Sequence, residues 1–308
     1  MPIGRMFEQY WDVAQPAEWC KGIVTSFTHR VAFIVCALVL LALIATGARV
    51  NPLDAPIIAG LLILFLGVPH GAFDVAIWKA RRNSPTSGNV AAMLVRYVAF
   101  AISFFIIWLL APALALPVFL IISIYHFSGD WVHDLEQIPR WIVAAAMLTA
   151  PAGLHRDEVV QIFSWLSPVE TAETVGLVMA AVAIPLLQAS TVAVALICMH
   201  RPWAAIEIVV VLGLAWVTPP MLFFLVYFCG LHSVRHMIET QRLIGARSVR
   251  RFLLAACPYA PLAIGGTLVG ALSLSTLPPG PAILGAIFMA LGALTVPHII
   301  VIDGEDAP

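Results

Sequence analysis

Long apolar runs broken only by short polar connections are the feature that most restricts what this chain can fold into. Val31–Ala48 carries no charged residue, and comparable stretches follow at about 56–78, 91–112, 114–131, 172–199, 203–218, 220–240, 252–275 and 281–302. Roughly 20 apolar residues cross a bilayer as one helix. The composition agrees: 61% of residues are hydrophobic, 11% are charged and the mean hydropathy is +0.98. A soluble domain has roughly 45–50% apolar and 25% charged residues. The expected fold class is therefore all-α, a polytopic transmembrane helix bundle of about 8–10 spans. The upper count includes a short run at 140–154 and treats the stretch around Pro185 as one kinked span or two half-helices. Residues 157–171 read as an amphipathic surface connector.

The domain plan is correspondingly simple. Residues 1–30, with Phe7, Tyr10, Trp11 and Trp19 beside charges, form an interfacial N-terminal segment. A single transmembrane domain covers 31–303, and 304–308 is a tail. Glu8, Asp12 and Glu18 precede any apolar core, which does not fit a cleaved signal peptide. Cys20, Cys36, Cys198, Cys229 and Cys257 are scattered without a C-x-x-C pair, so neither a disulfide framework nor a thiolate metal site is expected. The net charge of −1 and the lack of a large basic block leave no footprint for a nucleic acid.

Ionisable side chains inside membrane spans are costly and point to function. His232 and His236 lie four apart near the end of the run that begins at Pro220. On a helix that spacing puts both imidazoles on one face, about 6 Å apart along the axis, within reach of one metal ion. His70 and His126 occupy similar places in the runs 56–78 and 114–131. Orientation follows from Lys and Arg in short loops. Placing Lys79/Arg81/Arg82 and Arg242/Arg247/Arg250/Arg251 in the cytoplasm sets the N-terminus there and, with ten spans, the C-terminus as well, with Arg49 and Arg156 as exceptions. His70 then lies roughly 13 Å above Lys79 and His232 roughly 15 Å above Arg242, at about 1.5 Å per residue. The histidines share a depth.

Neutral imidazoles suit iron, zinc, copper and nickel, and carboxylates commonly orient such ligands. Asp74 follows His70 by four residues, Asp130 follows His126 by four, and Glu239 follows His236 by three. His298, after Pro297, reads as a ligand, a substrate contact or a core residue, while His133 reads as solvated. His29, His155 and His200 adjoin arginines at span ends and read as interface residues. Arg235, between two histidines, has Asp74 or Asp130 as partner.

The motifs Gly67-x-Pro69-His70-Gly71-Ala72-x-Asp74, Tyr125-His126-Phe127 with Asp130-Trp131, His232-x-x-Arg235-His236 and Pro297-His298 resemble the Brp/Blh family over about 55–300. Its members are integral-membrane β-carotene 15,15′-dioxygenases of bacteria and archaea. The resemblance implies a non-haem Fe(II) held by His70, His126, His232 and His236, with dioxygen as co-substrate. It also implies a lipid-soluble carotenoid substrate, two all-trans-retinal molecules as product, and a cell-membrane location in a bacterium or archaeon. A retinal product points to a functional link with a retinal-binding rhodopsin. A rod-like hydrocarbon needs an apolar tunnel, for which Phe73, Phe127, Trp131, Phe224 and Phe228 are candidate lining residues. Asp74, Tyr125, Asp130, Arg235, Glu239 and His298 are candidates for supporting the ligands or touching substrate.

Other readings fit less well. A rhodopsin needs a lysine inside a span, and Lys21 and Lys79 both lie at or beyond span ends. A di-iron desaturase needs more histidine boxes than one H-x-x-x-H. Haem ligands four apart on one helix cannot take opposite haem faces. A transporter or metal permease needs polar residues through the full membrane depth, whereas these concentrate at one side. An oxygenase acting on another apocarotenoid remains within the same chemistry.

Overall fold

The computed structural model describes residues 26–82, 86–246, 260–274 and 276–303, with positions 250 and 252. The interfacial segment before Ser26, the tail 304–308 and the cluster members Arg247 and Arg251 lie outside the described residues.

Among the described residues the regular structure is wholly helical. In chain order the helices are α1 (Ser26–Ala45), α2 (Pro56–Arg81), α3 (Ser87–Leu110), α4 (Pro112–Trp131), α5 (Gln137–Thr149) and α6 (Pro151–Ser164). They continue as α7 (Val169–Ile197), α8 (Pro202–Val217), α9 (Pro220–Leu243), α10 (Ala260–Ser273) and α11 (Pro279–Asp303). Proline opens α2, α4, α6, α8 and α9. A first-turn residue has no intrahelical use for its N–H, so proline costs nothing there and presets φ. Thr86 starts α3 differently: its hydroxyl accepts the Asn89 N–H at 3.2 Å, and the Asn89 side chain accepts the Thr86 N–H at 3.2 Å.

Among the described residues seven helices, α1, α2, α3, α4, α7, α9 and α11, are long and apolar enough to cross a membrane. The shorter apolar helix α8 has 16 residues, about 24 Å at 1.5 Å per residue against a hydrocarbon core of about 30 Å. Helix α7 runs through Pro185 without dividing. Pro151 ends α5, so the run at 140–154 is split between two helices. The connector expected over 157–171 is largely α6, kinked at His155 and packed chiefly on α7, with Val159 and Ile162 buried.

The helices differ sharply in burial. Two-thirds (67%) of the apolar window of α11 and 56% of that of α9 are buried, against 11% for α3. Helices α9 and α11 thus form the centre, and α3 turns residues such as Val95, Ile102 and Leu110 outward. An apolar outer face of this kind suits lipid. The two central helices carry His232, His236 and His298, and α2 and α4 bring His70 and His126 against them.

Candidate metal centre

Helix α2 changes winding as it reaches His70. A π turn over Ile63–Gly67 gives way to a 3-10 segment over Val68–Phe73, and α-helix resumes at Asp74. Pro69 lacks the N–H that an ordinary α ladder needs at that point. The Gly67 carbonyl accepts from His70 Nδ1 at 2.6 Å and from Ser233 Oγ at 3.1 Å. Glycine is required at 67, because a Cβ there would overlap the Phe228 ring. Helix α9 contains a second π segment, Leu225–His232, which ends on a ligand candidate. Its Gly230 carbonyl accepts from His29 Nε2 at 2.8 Å. His29 is therefore a buried partner of α9 and not the interface residue its neighbour Arg30 suggests. Such π turns recur at functional sites.

These windings bring five imidazoles together. The rings of His70, His232, His126 and His298 follow one another in a closed circuit, with neighbouring centroids 5.1, 4.7, 5.1 and 5.4 Å apart. His236 stands 4.6 Å from His232 and 5.8, 5.9 and 5.9 Å from His70, His126 and His298. The Nε2 atoms of His126 and His232 are 3.0 Å apart. Two nitrogens about 2.1 Å from one ion at a right angle would be separated by about 3 Å.

The outer ring nitrogens are held from behind. His232 Nδ1 lies 3.1 Å from both oxygens of Asp130, which also accepts the Tyr227 hydroxyl at 2.5 Å. His298 Nδ1 lies 2.7 Å from Asp74, which also accepts the Tyr97 hydroxyl at 2.8 Å. With Nδ1 of His70, His232 and His298 so engaged, Nε2 is the nitrogen each offers to a common centre. Metal-ligating histidines show this pattern, and it fixes tautomer and ring orientation. The metal-capable donors form two groups, His70, His126 and His298, and Asp130, His232 and His236; a set this rich in imidazole fits a borderline transition metal such as iron.

Behind Asp130 lies a charge network that sequence reasoning missed. Glu207 of α8 is fully buried and accepts from Arg235 at 2.7 Å, Arg30 at 3.0 Å and Trp131 Nε1 at 3.1 Å. Arg235 also donates to the Asp130 backbone carbonyl at 2.6 Å, and Arg30 to Asp134 at 2.6 Å. Arg235 is thus paired with Glu207 and not with the carboxylate of Asp74 or Asp130. The available signal was an acid inside the apolar run 203–218.

The remaining candidates divide. Phe127, Phe224 and Phe228 line a cavity with His70, His126 and His298, and Phe228 stacks on His232 at 5.7 Å. Phe73 is buried elsewhere, stacked on Phe252 at 4.1 Å, and Trp131 is buried against Glu207. Tyr125 is exposed with its ring toward Trp141, and His133 is exposed. Glu239 is half-buried, near enough to Arg235 for their charges to interact. Away from the histidines the cavity is apolar, reaching Met147, Pro151, Ile162, Phe163 and Met179 on α5, α6 and α7.

Fold and site together define a polytopic helical membrane protein built round a buried histidine cluster that opens on an apolar cavity. The chain belongs to the β-carotene 15,15′-dioxygenase family, whose profile matches residues 61–304. It is 30% identical to the β-carotene 15,15′-dioxygenase of uncultured marine bacterium 66A03, over 79% of this chain and 90% of the relative. It is 27% identical to the probable β-carotene 15,15′-dioxygenase Blh of Halobacterium salinarum, over 85% of this chain and 87% of that protein. No solved structure gives a significant match.

Proposed function

We propose that this protein cleaves β-carotene at its central 15,15′ double bond with dioxygen, yielding two molecules of all-trans-retinal. The observation that carries the reading is the meeting of an apolar cavity with a histidine-rich cluster, in a chain of this family. His70, His126, His232 and His236 hold Fe(II). The iron, when bound, supplies the activation of dioxygen that imidazoles alone cannot.

The protein's own residues bind, orient and exclude water. The polyene lies along Phe223, Phe224, Phe127 and Phe228, which deliver its middle to His70 and His126. Helices α5 to α7 enclose the part of the cavity remote from the histidines. A hydrocarbon offers no hydrogen-bonding group, so position is set by shape and dispersion contact. Asp130, steadied by Tyr227, holds His232 in one tautomer. The atoms balance without an added reductant, since one C=C bond is exchanged for two C=O bonds and each product takes one oxygen. The membrane supplies the substrate, and the retinal is available to a rhodopsin.

Expression in a β-carotene-producing bacterium should bleach the cells and accumulate retinal, and His232→Ala should abolish both. Intact carotene beside well-folded, iron-loaded protein would refute the substrate. Stoichiometric zinc in place of iron in the purified protein would refute the oxygenase chemistry.

A further inference from the structure

We propose that His298 is a fifth metal ligand, making the centre a five-histidine site whose one open side faces the cavity. This rests on the four-histidine reading above and extends it. His298 is 5.4 Å from His70 and 5.1 Å from His126, centroid to centroid. His232, in the four-histidine set, is 5.1 and 4.7 Å from the same two rings. The two thus occupy equivalent corners of the circuit, with the ligand atoms of His70, His126 and His298 all within 4.8 Å of one another.

The support behind the two rings is also equivalent. His232 is backed by Asp130, which is held by the Tyr227 hydroxyl; His298 is backed by Asp74, held by the Tyr97 hydroxyl. These pairs come from different helices, so the likeness is not a by-product of local spacing. Each places a buried carboxylate on Nδ1, which orients Nε2 inward and raises its basicity. A hydrocarbon substrate has no use for a polar ring oriented in this way, whereas a metal does.

The cavity is lined by His70, His126 and His298 but not by His232 or His236. The side of the cluster away from His232 and His236 therefore faces the cavity, where the polyene is delivered.

The test is metal binding by purified, detergent-solubilised protein, independent of turnover. Iron-loaded wild type, His298→Ala, Tyr97→Phe and His232→Ala are challenged with a chelator, and imidazoles are counted by X-ray absorption. His298→Ala should lose one imidazole from the count and release iron at least about tenfold more readily, with added free imidazole restoring both. Tyr97→Phe, which keeps every ligand and removes only one hydroxyl, should keep the count and loosen the iron. A count of four in wild type, or an unchanged count and chelator resistance in His298→Ala, overturns the fifth ligand. If His232→Ala also binds as wild type, the four-histidine reading fails as well. If it loses iron while His298→Ala does not, only the fifth ligand falls.

Discussion

Glu207 is the residue on which the charges behind the histidines converge. It is buried completely and receives Arg30, Arg235 and Trp131, while Arg235 in turn holds the carbonyl of Asp130. One carboxylate thereby ties α1, α4, α8 and α9 together directly behind His232. Removing one partner of a buried ion pair strands the other, at a cost of about 3–5 kcal/mol. Glu207→Gln should therefore lower the thermal unfolding midpoint of the detergent-solubilised protein and loosen its metal. Glu239→Gln, at a half-buried site, should do neither. A Glu207→Gln protein that melts with wild type would show that the network carries no such weight. The residue was visible as an acid in an apolar run. Its partners were not, because they come from three other parts of the chain.

At the scale of the element, departures from α-helix decide which acid serves which histidine. Spacing pairs Asp74 with His70 and Asp130 with His126, since four residues on an α-helix advance about 400° and return to within 40° of the starting face. The His70–Asp74 interval instead runs through the 3-10 segment Val68–Phe73, and the His126–Asp130 interval, α-helical to Ser128, ends in another, Gly129–Trp131. Over the first, at about three residues per turn, four residues advance about 480° and end about 120° away; the second turns by less. Each acid accordingly turns to a histidine on another helix, Asp74 to His298 and Asp130 to His232. The π segment of α9 has a similar consequence. Deleting Val226 would let Leu225–His232 relax toward α-helix and change the rotational setting of His232 and His236 relative to Pro220–Phe224. The expected result is an unchanged helical circular dichroism spectrum with loss of bound iron. Retained iron would mean that the π turn does not set the aim of these ligands.

For the whole molecule, the cavity is the product of packing. Its walls come from helices distant in sequence, including α6, which sequence pattern places on the surface as a connector. Ser123 lies on α4 one turn before His126, is buried, and lines this cavity. Ser123→Phe should fill the path, with overpacking worth about 1–3 kcal/mol. Carotene cleavage should fall by roughly tenfold or more, while iron content and imidazole count stay at wild-type values. Undiminished cleavage would place the substrate elsewhere.

The sequence by itself determined the solvent and the chemistry. Hydrophobic runs of membrane length can be satisfied only by helices in lipid or in one another's company, and histidines embedded in such runs have few roles apart from a metal. His70, His126, His232 and His236 were legible for that reason, through a helical period that holds over one or two turns. Only the tertiary structure decided that His298 lies beside them, that Asp74 and Asp130 each meet a histidine across a helix interface, and that Glu207 anchors Arg235. The physical reason is that sequence periodicity reports which face of a helix a residue shares. It does not report how two helices are rotated about one another. In α2, α4 and α9 that rotation is set by π and 3-10 turns, whose energies depend on the neighbours packed against them.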